Sequence, residues 1–138
     1  MIMDIEAIVS DRAAIEQGAW VDGIPEMGEL RLKVRGQTNP DFQRMMQRLT
    51  AAVPRSKREG GRIDPVEMDR IIGTTLHATV LLDWEGVKVG GEMRPYDKAL
   101  AFRLCTEPRY LRFRQAVAWA AGEVDDLNAE AEKADAGN

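Results

Sequence analysis

The sequence predicts an α+β fold, mainly α-helical, with an N-terminal β-hairpin followed by a compact bundle of about four helices. Three observations predict it. Residues 29–35 (Glu29-Leu30-Arg31-Leu32-Lys33-Val34-Arg35) alternate apolar and charged side chains with a period of two, the pattern of a half-buried strand. Two proline-led helix starts, Asn39-Pro40-Asp41 and Asp64-Pro65-Val66-Glu67, each precede apolar residues at helical spacing. At 138 residues, 44% of them apolar and 30% charged, the chain is long enough to bury a core and reads as one globular unit over 1–122. An acidic, frayed or disordered tail over 123–138 completes it.

Taken in order, Met1 to Gln17 has room for a short helix with Ile5, Ile8 and Val9 on one side. The hairpin spans about 18–35: Gly18-Ala19-Trp20-Val21 and the alternating strand flank a loop containing Asp22-Gly23, Pro25 and Gly28. A helix over about 40–52 places Phe42, Met45, Met46 and Leu49 on one stripe. Val53 to Arg62 then reads as an exposed, mobile cationic loop, because a proline, a glycine pair and four basic residues interrupt the helical pattern.

The next helix is expected over about 64–82. Asp64 and Glu67 are spaced for a capping box, and the apolar end Val80-Leu81-Leu82 is expected to cross the core. Trp84 to Gly91 form a turn, with Val87-Lys88-Val89 suited to a tiny hairpin. Two further helices follow, over about 96–105 with Leu100, Ala101 and Leu104 inward, and over about 107–122 with Tyr110, Leu111, Phe113, Val117 and Ala120 as its apolar residues. From Glu123 the chain carries six acids against Lys133.

Residue chemistry points away from catalysis. His77 is the only histidine and Cys105 the only thiol, too few for a zinc site of His and Cys type. Neither has a motif that would make it part of a nucleophilic device, and His77 reads as a structural residue beside apolar neighbours. Gly60-Gly61 lacks the Gly-Lys-Ser/Thr ending of a phosphate loop, and Gly86 to Gly91 does not lead from a strand into a helix. Asp69, Asp83 and Glu85 read as solvated or capping acids. The expectation is a protein with no catalytic residues, no metal and no cofactor.

A net charge of −4 argues against bulk attraction to nucleic acid or membrane. A lone cysteine allows no intrachain disulfide, and no apolar run approaches a membrane span. The first residues lack the basic and long apolar regions of a signal peptide. A soluble intracellular chain is the expectation. The one local cationic excess, Arg55, Lys57, Arg58 and Arg62, fits a solvated loop or an acidic protein partner better than DNA or RNA, since no aromatics are interleaved with it.

The order of features resembles the tail assembly chaperones of long-tailed, siphovirus-type bacteriophages and prophages. The residues that carry the likeness span about 18–122. They are Gly18-Ala19-Trp20-Val21, the strand Leu30 to Val34, Asn39-Pro40-Asp41-Phe42, Asp64-Pro65, the turn Leu82-Asp83-Trp84-Glu85-Gly86-Val87, Pro95-Tyr96 and Tyr110-Leu111-Arg112. The resemblance implies a non-catalytic protein of the host bacterial cytoplasm that coats the tape measure protein and keeps it soluble until tube subunits add. The major tail tube protein is a second candidate partner, and self-association along the rod would be natural. Trp20, Trp84 and Tyr96, with the cationic residues Arg55, Lys57, Arg58 and Arg62, are the candidate contact residues; each aromatic is equally suited to the core. The rival readings are a structural head–tail or tail component of the virion, and a small nucleic-acid-binding protein using the 55–62 loop.

Overall fold

The computed structural model describes residues 13–136, with side chains through residue 127. The expected contacts of Ile5, Ile8 and Val9 lie outside the described residues. Residues 13–17 are helical and bring buried Ile15 onto the core. Two short strands follow, β1 (Ala19–Val21) and β2 (Arg31–Val34), paired antiparallel as the alternation predicts. Leu32 and Val34 are fully buried, while Arg31 and Lys33 take the other face.

The hairpin is not isolated. A third strand, β5 (Leu81–Glu85), pairs with β2 on its other edge and makes β2 the centre of a three-stranded sheet. This corrects the helix expected over 64–82: α2 (Pro65–Thr79) stops at Thr79, and the apolar run after it is strand. A short apolar run cannot be assigned to helix or strand by periodicity. Here the choice is tertiary, because β2 offers a second edge and Arg35 N donates to the Val80 carbonyl at 2.9 Å where the chain turns. The register Leu32↔Trp84 then puts both side chains on the inner face, and Arg31↔Glu85 sets an ion pair of 2.7 Å on the outer one.

Helix α1 (Pro40–Ala51) begins as predicted, with Asn39 Oδ1 accepting from Phe42 N at 3.0 Å and Pro40 in the first turn. Asn39 is wholly buried. Its Nδ2 donates to the carbonyls of Gly36 (2.6 Å) and Thr79 (3.1 Å), so one cap ties the start of α1 to the end of α2. The two helices pack together, yet α1 buries none of its residues fully; Phe42, Met45, Met46 and Leu49 are half-covered.

Asp64 is the N-cap of α2 by position, but no capping box forms. The backbone N–H that a reciprocal Glu67 would satisfy already donates to the Lys57 carbonyl at 2.8 Å. Glu67 turns instead to Arg70 (2.9 Å) and Lys57 (3.3 Å), and those cations, Arg70 first, hold its carboxyl below the usual carboxylate range. The segment expected as a loop takes regular structure instead. A 3-10 turn over Arg55–Lys57 leads into β3 (Arg58–Glu59) and β4 (Arg62–Ile63), joined by Gly60 and Gly61, both at positive φ.

A second miniature hairpin, β6 (Lys88–Val89) and β7 (Glu92–Met93), turns through Gly90-Gly91 as foreseen around Val87–Val89. Asp97 caps α3 (Lys98–Thr106) by accepting from Leu100 N at 2.8 Å. A 3-10 turn at Pro108–Tyr110 then leads into α4 (Leu111–Ala136). Helix α4 does not end near 122. Phe113, Ala116, Val117, Ala120, Ala121 and Val124 are buried on one side of it, against the sheet, α2 and α3. Asp125, assigned by sequence to the tail, accepts from Gln37 N (2.9 Å), Thr38 N (3.3 Å) and Thr38 Oγ1 (2.6 Å) in the turn between β2 and α1.

Candidate partner-binding surface

The residues singled out by sequence do not form one surface. Trp84 is core at 3% exposure: its Nε1 donates to the Arg94 carbonyl at 2.8 Å, and Tyr96 and Phe113 meet it edge-on with ring centroids 5.0 and 5.8 Å away. The inward register of β5 removes it as a contact residue. Tyr96 is half-buried against it, and burial pushes its phenol up. Trp20 stands on the opposite, outer face of the sheet, 37% exposed, with the Arg31 guanidinium 5.1 Å from its ring.

The cationic group is also divided. Arg58 is spent on the carbonyls of Val53 (3.1 Å) and Thr50, and Lys57 pairs with Glu67. Arg55 and Arg62 stay exposed, Arg62 at a depression of about 650 Å³ around the β3–β4 hairpin. Two of the four predicted cations thus hold local structure.

The titratable singletons behave as structural groups. His77 sets Nε2 3.1 Å from the Lys98 carbonyl and stacks edge-on with Phe102, and burial lowers its pKa. The Cys105 thiol is buried and pushed up to about 12 by desolvation, well above a reactive range. Among the described residues no group of three or more His, Cys, Asp or Glu side chains is placed to hold a metal ion. No described helix is long and apolar enough to cross a membrane.

Concave apolar surface lies elsewhere, part of it along the first turns of α4. One cleft, of about 400 Å³, is floored by Leu30, Val87, Val89, Leu104, Tyr110 and Phe113, with Lys88, Arg109 and Arg112 among its polar lining. Met27 and Arg112 also line the adjoining cleft of about 320 Å³, between the 24–27 loop and Gln115, Ala116 and Trp119. Sequence reasoning missed both, because they are made where the hairpin loop, the β6–β7 hairpin and α4 meet. Gly86 makes part of that meeting possible: at φ +78° it approaches the Glu29 carbonyl so closely that a Cβ would stand 2.7 Å from the oxygen. Apolar walls flanked by cations suit the apolar face of a helix with acidic flanks.

A model of the YdaY prophage protein family matches residues 37–138. The chain belongs to that family. It is therefore a phage or prophage protein, and the matched stretch holds α1 to α4, Trp119 and both ends of the Asp125 clasp. No curated protein matches it, and no solved structure does.

Proposed function

We propose that this prophage-family chain is a non-catalytic assembly chaperone of the phage tail, acting in the host cytoplasm on a long, helix-rich partner of the tape measure type. The observation that carries the reading is the open apolar cleft over Leu30, Val87, Val89, Tyr110 and Phe113, flanked by Lys88, Arg109 and Arg112. A cleft of about 400 Å³ takes one or two apolar side chains of an amphipathic helix. Each contact would be weak and reversible. Many copies along one rod supply the avidity, and the partner can be handed on as tube subunits displace them.

Co-expression with the helix-rich tape-measure-type protein of the same phage tests it. Expected is a soluble complex holding several copies of the chain per partner, lost when half-buried Val89 is replaced by Glu or Arg109 is reversed to Glu. A partner that stays insoluble while the chain elutes alone refutes the reading. Recovery of the chain from purified particles would favour a structural component of the virion instead.

A further inference from the structure

The outer face of α4 is self-complementary. Arg112, Gln115, Trp119 and Asp126 are exposed at spacings of three, four and seven residues, so they line one face of the helix, with Gly122 and Glu123 half-exposed beside them. Its charge is ordered: cationic at Arg112, aromatic at Trp119, acidic at Glu123 and Asp126. Turning a second helix antiparallel about Trp119 sets position 112 opposite 126 and 115 opposite 123, which is the match that a two-fold, isologous interface requires.

Gly122 supplies an independent observation. It sits in the interior of a helix, where glycine is less favourable than alanine, with ordinary helical φ, and a Cβ built on it meets no atom of the described residues within 4 Å. Nothing among the described residues calls for a glycine there. One turn from Trp119 on the exposed side, it leaves room for a close-packed neighbour such as a second indole. Trp119 is 37% exposed and Leu127, the last described side chain, is 60% exposed.

We propose that two copies of this chain form a two-fold dimer through antiparallel packing of α4, centred on Trp119 and Gly122 and set in register by Arg112 against Asp126 of the second copy. The apolar centre supplies the affinity, as buried Trp does in interfaces. The end charges fix the orientation, since a parallel arrangement would oppose like charges. The inference does not rest on the chaperone reading.

Sedimentation equilibrium on the full chain over a range of concentrations tests it, beside matched variants. The wild type is expected to sediment as a monomer–dimer equilibrium. Arg112→Glu and Asp126→Arg should each weaken dimerisation at least tenfold, and the R112E/D126R double variant, which exchanges the two ends, should recover most of it. Gly122→Leu places its side chain in space that is open in the monomer. It should keep native circular dichroism and thermal stability yet remain monomeric. A wild type that is monomeric throughout overturns the proposal. So does a dimer indifferent to Gly122→Leu, or a double variant that dimerises no better than the two single ones.

Discussion

Replacing Asp125 by Ala removes the acceptor of three hydrogen bonds that join α4 to the turn before α1 (Gln37 N at 2.9 Å, Thr38 N at 3.3 Å and Thr38 Oγ1 at 2.6 Å). A hydrogen bond to a charged group is worth about 1.5–3 kcal/mol when shielded from water. This site is only part-buried, and the bond of 3.3 Å is long, so the three together come to about 2 kcal/mol rather than their nominal sum. In urea, with a slope of about 2 kcal/mol per molar for a domain of this size, the midpoint should fall by about 1 M with the slope unchanged. Asp125→Asn keeps one carbonyl acceptor and should lose about half as much.

Truncation after residue 122 extends the test. It removes Asp125 together with Val124, which is 2% exposed and whose burial contributes about 2 kcal/mol, so the loss should reach about 4 kcal/mol. Gly36 gives a coupled control. A Cβ there would overlap the Asp125 carboxylate and stand 3.2 Å from Ile15 Cγ1, so Gly36→Ala should cost less in the Asp125→Ala background than alone. If Asp125→Ala lies within about 0.5 kcal/mol of wild type, the clasp contributes nothing beyond a surface contact. In that event the acidic end of the chain is the dispensable tail its composition suggests.

Other outcomes follow from the same packing. Gly73→Ala should destabilise by about 2 kcal/mol in chemical denaturation, because a Cβ on α2 would run into the Cys105 carbonyl, with its carbon at 3.0 Å, and backbone cannot yield as a side chain can; the helix-propensity gain of about 1 kcal/mol is too small to reverse the sign. Cys105 should resist thiol reagents at pH 8 in the native protein and react at the rate of unfolding, since its thiol titrates at about 12; labelling at the rate of a free thiol would refute its burial. Glu67→Gln should lower the melting temperature at neutral pH, and its gap to wild type should close as pH falls. The native carboxyl titrates below the unfolded value of about 4.3, so its stabilisation is present above that value and lost as pH falls through the native one. A gap that stays constant down to the acid transition would exclude ionic pairing as the cause.

Local chemistry was legible in the sequence where it is self-contained. The alternation of 29–35 gave β2, and the Asn39 cap fixes the start of α1 by a bond within three residues. What composition could not show was decided at long range. Leu81–Glu85 is strand because β2, some fifty residues earlier, offers an edge. Asp64-Pro65-Val66-Glu67 lacks its reciprocal cap because Lys57 occupies the N–H and draws the carboxylate away. Six acids from Glu123 onward read as a tail although Asp125 is bonded 87 and 88 residues back.

The surface was misread for a related reason. Trp84 lies in the most distinctive run of the chain, and that run is distinctive because it packs: strand, indole bond and Gly86 turn all serve the core. Trp119 lies among alanines and drew no notice, yet its neighbours Ala116, Val117, Ala120 and Ala121 are the buried side of α4, which turns the indole outward. A signal was present in the spacing. Arg112, Gln115, Trp119, Glu123 and Asp126 recur every three or four residues on the side of α4 that the core does not use, and Gly122 interrupts a helix otherwise rich in alanine. A glycine that weakens a helix without serving a turn or a close internal approach directs attention outside the monomer. By that argument the outward face of α4, rather than the aromatic turn, is where substitutions should alter association while leaving the fold intact.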